Sequence, residues 1–344
     1  MEGFVKSDGW AKALALFPQT DIYFTQAYHE LNSGEGMEAR CFLYQEDDEA
    51  FCLPFVESRI PGTTLADFST CYGYSGPLST SSESGFLGRA WTALKQSCAR
   101  RGIVAGFIRF HPLLMNHRFV DENAVQLRLD RRTVVIDLTK DSAQLWNSKL
   151  HPDHYWLRRA RREGARFEID HSWNSYSRFI ELYRATMDRH HAAKEYRFSD
   201  LYFNNLRTKL ADRGVIAGVY VGEKLISGAI ILLHQPFAHY HLGGSDEEYR
   251  PLCPNALLFI EAALHLKAKG YERFHLGGGS DARDDNSLLF FKQRLSTDLL
   301  EYYTGAFVID REKYDELCRR WDECASADAV ARYGRYTLKY RYGN

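Results

Sequence analysis

The chain has 344 residues, 45% of them hydrophobic and 26% charged, and its 44 basic and 45 acidic residues leave a net charge of −1. That composition is that of a soluble globular protein, and the length calls for about two domains, each able to bury a core. The near-neutral balance argues against a large nucleic-acid footprint and against DNA as a partner, while leaving room for a local basic groove.

The first twenty residues, MEGFVKSDGWAKALALFPQT, lack a basic start followed by an apolar core, and no apolar run approaches the ~18 residues of a membrane helix. No signal peptide and no membrane span are expected, and the expected location is cytoplasmic. The seven cysteines (Cys41, Cys52, Cys71, Cys98, Cys253, Cys318 and Cys324) are scattered, odd in number and without a CxxC pair, the pattern of reduced thiols.

In chain order, CFLY, the polar turn QEDDEA and FCLPFVES form a hairpin, and residues 64–76 give a third strand and a loop. FLGRAWTALKQSCARRG reads as a helix closed by Gly102, and IVAGFIRFHP as a strand. The middle stretch KLHPDHYWLRRARREGARFEI places Arg158, Arg159, Arg161 and Arg162 on a helix ended by Gly164. Such a run is a solvated face or a holder of phosphates or RNA backbone. SYSRFIELYRATMDRHH is a helix with Phe179, Leu182, Tyr183 and Met187 at helical spacing.

The second half repeats the first. VIAGVYV, LISGAIILL and PFAHYHLGG form an antiparallel meander with its first turn at Gly222 and Glu223. Pro254 and Asn255 start a well-buried helix that Gly270 ends, and YERFHLGGG is the next strand. Two copies of one α+β unit are therefore expected, residues 1–140 and 141–317, with 318–344 packing back on the first. After the glycines, Asp284, Asp285 and Asn286 are placed to cap a short helix carrying Phe291 and Lys292. Phe291 and Lys292 can be read plainly, as core beside Leu288 and Leu295 and as a cation toward a helix C-terminus.

At this point the residues resemble the FemAB/FemX aminoacyltransferases and the related BioF2-like acetyltransferases. PNALLFIEAALHLKAKGYERFHLGGG, LLFFK and EYYTGAFVI carry the likeness, supported by LRRARREGARFEI, ELYRATMDRHHAAKEYRF and YGYSGPL. The resemblance implies two tandem GNAT-like domains, each a mixed, mostly antiparallel sheet flanked by helices. It implies transfer of an acyl or aminoacyl group to an amine, with no tightly bound cofactor and aminoacyl-tRNA or acyl-CoA as co-substrate. It implies that Phe291 stacks on the donor's terminal adenine and that Lys292 supports the transition state. Gly277, Gly278, Tyr240 and Asn255 fall on the donor side, and Arg189, Tyr72 and Tyr74 on the acceptor side.

Two departures count against the usual muropeptide acceptor. Ser75 stands where the peptidoglycan branch tends to have Arg before Gly-Pro, and FTQAYHELNS supplies no Lys. The loop DEEYRPLCPN lacks the glycine-rich pattern of coenzyme A-binding members, and Pro254 removes an N–H donor. No metal is expected, because the His239-x-His241 pair has no further ligands at useful spacing. Glu247, Glu248, Asp284, Asp285, His239 and His241 all lie near strand ends, and none is assigned as base. The expected function is acyl or aminoacyl transfer to an amine on a cell-envelope precursor, leaning to aminoacyl-tRNA. The alternatives are an acyl-CoA-dependent N-acetyltransferase acting on an amino sugar or sugar nucleotide, and a non-catalytic GNAT-like scaffold.

Overall fold

The computed structural model describes residues 2–32, 34–141, 145, 154–193, 196–279, 283 and 286–343. They form two compact α+β units, residues 1–130 with 302–344, and residues 131–301.

The first unit begins with strands β1 (Glu2–Phe4), β2 (Met37–Glu46) and β3 (Glu49–Arg59), successive antiparallel neighbours. The β2–β3 turn runs through Asp47 at φ 50°, a left-handed position that Asp tolerates. Strand β4 (Ala66–Ser69) pairs with β3, and so does the short β5 (Leu78–Ser79). The helix Ser84–Arg100 is capped by Glu83, whose carboxylate accepts from the Gly85 and Phe86 N–H groups. Its face of Phe86, Ala90, Trp91, Leu94 and Cys98 is buried against Phe51, Phe68 and Phe307. Strand β6 (Ile103–Arg109) then lies parallel to β4.

Strand β7 (Val125–Asp137) leads into the second unit, where Thr133–Asp137 pair antiparallel with β12. The helix Tyr155–Arg162, β8 (Ala165–Asp170), the helices Tyr176–Arg189 and Asp200–Leu210, and strands β9 (Gly214–Val221), β10 (Lys224–His234) and β11 (Phe237–Ser245) follow. Strands β8 to β11 are an antiparallel meander. The helix Pro254–Ala268 buries residues around most of its circumference, as its sequence requires, and leads to β12 (Arg273–Gly278). The core of this unit joins Val134, Ile136, Val219, Ile231, Leu257, Ile260, Phe274 and Leu276.

The helix Ser287–Leu295 and β13 (Leu299–Val308) follow, and Thr304–Val308 pair with β6. The helices Arg311–Cys324 and Ala327–Tyr333 close the chain. The C-terminal segment is fastened to the first unit where Arg341 donates to the buried Asp67 carboxylate at 2.6 Å. These boundaries differ from 1–140 and 141–317 for a reason of pairing. Residues 131–140 belong to the second unit because β12 needs Thr133–Asp137 as its neighbour. Residues 302–317 belong to the first because β6 needs Thr304–Val308.

Candidate active site in the second unit

Strands β11 and β12 are parallel but pair over only three positions, Phe237 with Arg273, Ala238 with Phe274 and His239 with His275. Beyond them β11 stays with β10 as far as Ser245, while β12 stays with β7 as far as Gly278. Both strands change register at that level. The β10 ladder skips from Leu242 to Tyr240, leaving His241 as an extra residue, and the β7 ladder skips between His275 and Gly277. A bulge bends its strand and increases the local twist. Gly277 sits at φ 75°, which only glycine adopts at little cost. The two bulges open a wedge between Tyr240 on one side and Gly277 and Gly278 on the other.

Lys292 reaches into this wedge. Its helix is capped by Asn286, whose side-chain oxygen accepts from Leu288 N and Leu289 N, each at 3.1 Å. Gly279 allows that approach, since a Cβ there would lie 2.5 Å from the Asn286 side chain. Asp284 and Asp285 lie outside the described residues. An Asn286→Ala variant is expected to lose about 1 kcal/mol of stability, measured by urea unfolding, with activity falling as the turn below Lys292 frays.

The Lys292 side chain is 4% exposed. Its Nζ donates to the Gly278 carbonyl at 2.7 Å and stands 5.5 Å from the centre of the Tyr240 ring. Burial, helped by the Arg131 charge, lowers its pKa to about 7. Arg131 itself donates to the neighbouring Gly279 carbonyl at 3.2 Å. Burial pushes the Tyr240 phenol up to about 12, so it stays protonated and uncharged. Tyr240, Phe259 and Phe291 form an aromatic row, with ring centres 4.8 Å and 5.9 Å apart. Chemically, this is a desolvated ammonium beside aromatic faces at the mouth of a split sheet. It can meet an oxygen that gains negative charge, where water would otherwise weaken the attraction.

The other expected site residues divide into two groups. Asn255 accepts from Ser227 Oγ at 2.8 Å, and its amide nitrogen lies 3.4 Å from Ser245 Oγ. Arg189 donates to the Ser245 carbonyl at 3.3 Å and pairs with Glu247 at 3.4 Å. Arg189, read as acceptor-side, and Asn255, read as donor-side, therefore meet at the same end of β11. Tyr72 and Tyr74 lie in the first unit, in a loop where the Tyr28 hydroxyl donates to the Tyr72 carbonyl at 2.7 Å. Tyr74 packs edge-on against Tyr23 and Tyr302, at 5.6 Å and 5.3 Å.

Three of the candidate bases, Glu247, Glu248 and His241, are engaged elsewhere. Glu247 pairs with Arg189 and Arg250, and Glu248 with Lys224. His241 is bonded to the Tyr202 hydroxyl at 2.7 Å, and burial, with His239 beside it, lowers its pKa to about 3. At neutral pH that imidazole is a poor proton acceptor.

The approach to the helix Pro254–Ala268 is closed to a conventional pyrophosphate cradle. Residues Glu247–Leu252 form a 3-10 helix whose Tyr249 and Cys253 N–H groups bond back to Asp246 and Arg250. The Ala256 and Leu257 N–H groups turn to the Cys253 carbonyl, and Pro254 has none.

Sequence reasoning missed Arg131 and Phe259. The Arg131-Arg132 pair, in the interior of β7, is the only signal for the first, and Phe259 falls within the helix that the sequence marks as well buried.

Residues 154–286 match the family model of the acetyltransferase (GNAT) domain. The match includes Tyr240, Gly277 and Gly278 and stops short of Phe291 and Lys292. Among solved structures, the chain is similar to FemX at 14% identity, covering 92% of this chain and 99% of that one with a TM-score of 0.73. It is also similar to the C-terminal domain of a putative lysylphosphatidylglycerol synthetase from Agrobacterium fabrum (14% identity, 87% and 92% covered, TM-score 0.56). A third likeness is to L-PGS from Bacillus licheniformis (13% identity, 90% and 94% covered, TM-score 0.55). No curated protein matches. Among the described residues, no helix is long and apolar enough to cross a membrane. At these identities the structural likenesses show the fold, and the domain match bears on residues 154–286. Residues 154–286 therefore match the GNAT acetyltransferase domain, within a chain whose fold is similar to that of FemX, and the match supports an acyltransferase.

Proposed function

We propose that the chain is a FemAB-like N-acyltransferase that moves an aminoacyl group from a tRNA ester to an amine on a cell-envelope precursor. The carrying observation is Lys292, buried in the β11–β12 wedge on the Gly278 carbonyl and next to Tyr240. The acceptor nitrogen attacks the ester carbonyl and the C–N bond forms. The C–O bond to the ribose breaks, and the nitrogen's proton passes to the departing ribose oxygen. No protein base is assigned to that transfer. The Lys292 ammonium faces the oxyanion between these events, and Phe291 offers its ring to the terminal adenine. Gly277 and Gly278 keep side chains out of the donor's path, and Tyr240 lines its other wall. Asn255 stands at the donor helix, while Arg189, Tyr72 and Tyr74 are assigned to the acceptor.

The tRNA donor is favoured over coenzyme A by the closed helix approach. The resemblance to FemX-like enzymes points the same way, as do the lysylphosphatidylglycerol synthetases, whose name speaks of an aminoacyl product. The second reading, an acyl-CoA-dependent N-acetyltransferase on an amino sugar or sugar nucleotide, is favoured by the domain match itself. Thermal unfolding separates the two. Stabilisation by aminoacylated tRNA and not by acetyl-CoA is expected, and stabilisation by acetyl-CoA alone would sink the tRNA assignment.

The lowered Lys292 pKa has a kinetic consequence. If the ammonium form is the working one, kcat/KM bends downward as pH rises through about 7. Lys292→Arg, which stays charged, is expected to lose that limb while keeping part of the rate. A limb unchanged in that variant would assign the titration to another group.

A further inference from the structure

We propose that the outer face of the helix Tyr155–Arg162 is a second binding surface for the RNA donor, taking its backbone beyond the terminal adenosine. This rests on the aminoacyl-tRNA reading above. The helix turns Leu157 and Ala160 into the core and leaves its other residues outside. Tyr155 and Trp156 are 52% and 38% exposed, although both are large aromatics. Their rings lie 4.3 Å apart at 33°, a paired platform against which a base can stack.

The four arginines of this helix have different tasks. Arg159 is held by Glu163 and Arg161 by Glu261, each at 2.6 Å. Glu261 belongs to the helix Pro254–Ala268, so this contact ties the patch to the donor side of the site. Arg158 and Arg162 are exposed and, among the described residues, have no carboxylate partner. They are four positions apart, about 6 Å along a helix axis, a step of the order of that between successive phosphates on one strand. Tyr155, Arg158 and Arg162 thus follow one another at spacings of three and four, along one stripe. An aromatic followed by two unpaired guanidinium forks suits a flexible polyanion with bases.

An anionic bilayer would also attract the arginines. A helix seated in a bilayer turns aliphatic residues outward, whereas here the aliphatic residues Leu157 and Ala160 face the core. RNA is therefore the better complement. The patch also reconciles an RNA donor with a chain of net charge −1. On this helix four arginines fall within eight residues.

Binding of labelled, uncharged tRNA by anisotropy over a series of salt concentrations tests the proposal, using the full chain and an Arg158→Ala/Arg162→Ala variant. Both positions are exposed, so the variant should melt with the wild type. About tenfold weaker binding at low salt is expected. The slope of log K against log salt should shrink by roughly 1.4, from ~0.7 per lost phosphate contact on a single strand. Trp156→Ala should weaken binding about fivefold or more through lost stacking. Unchanged affinity and slope in the double variant, with transfer from charged tRNA intact in the wild type, would overturn the patch and leave the donor reading standing. Loss of co-sedimentation with vesicles of 30% anionic lipid (by design), with tRNA affinity unchanged, would make it a membrane surface instead. If the wild type binds no tRNA and turns over only acetyl-CoA, the donor reading fails and the patch fails with it.

Discussion

Lys292→Met is expected to make the protein more stable and nearly inactive. Burial holds the wild-type amine near pKa 7, against an ordinary 10.5. Between those values the unfolded chain binds a proton that the native state does not, so wild-type stability rises with pH across that window. Below pH 7 the full cost of burying the charge is present. The gap corresponds to roughly 5 kcal/mol. Loss of the hydrogen bond to Gly278 returns about 1–2 kcal/mol, and imperfect packing of the methionine returns more. A net gain of about 2–3 kcal/mol at pH 6 is expected, shrinking toward pH 10. Urea unfolding at several pH values measures it, and a stability curve parallel to the wild type's would show that Lys292 is not desolvated as described. Turnover should fall by about 10²–10³, the size of a lost oxyanion donor. Gain of stability with loss of activity is the mark of a residue kept for function at the fold's expense.

Gly244→Ala should do the reverse and damage the scaffold. A Cβ at residue 244 would lie 2.5 Å from the backbone of Leu182 and Tyr183 on the helix Tyr176–Arg189. Backbone cannot rotate away as a side chain can, so the helix must lift from β11. Overpacking of this kind costs about 3 kcal/mol. The same helix carries Thr186 and Arg189, which bond to Ser245. Lifting it therefore displaces the end of β11 as well. A drop of that size in unfolding free energy with a raised KM is the expected outcome. A variant within 1 kcal/mol of wild type (a chosen threshold) would mean the helix has room that the geometry denies.

The legibility of the sequence followed the range of the interactions. The β9–β10–β11 meander, the buried helix after Pro254 and the Asn286 cap rest on local rules of alternation, periodicity and side-chain capping, and all were readable. The glycines before Asp281 were also readable as a strand end, because Gly277 uses its freedom locally. Long-range pairing was not. Nothing local in residues 133–137 announces that they will lie beside Arg273–Gly278, or in 304–308 that they will lie beside Ile103–Arg109. Register was hidden for the same reason. The extra residue at His241 is defined only by its partner strand, yet it marks the level at which β11 and β12 part. The carboxylates near the strand ends looked like candidate bases because sequence does not reveal partners. In the structure Glu247 and Glu248 are committed to Arg189 and Lys224.

The central claim is that a buried Lys292 at the split of β11 and β12 supports aminoacyl transfer. Single-turnover transfer of a labelled amino acid from charged tRNA to an amine-bearing envelope precursor tests it most directly, run with wild type, Lys292→Ala and Lys292→Arg. Transfer by the wild type, a loss of about 10²–10³ in the alanine variant and partial recovery with arginine are expected. Wild-type transfer that persists unchanged in a folded Lys292→Ala protein would contradict it.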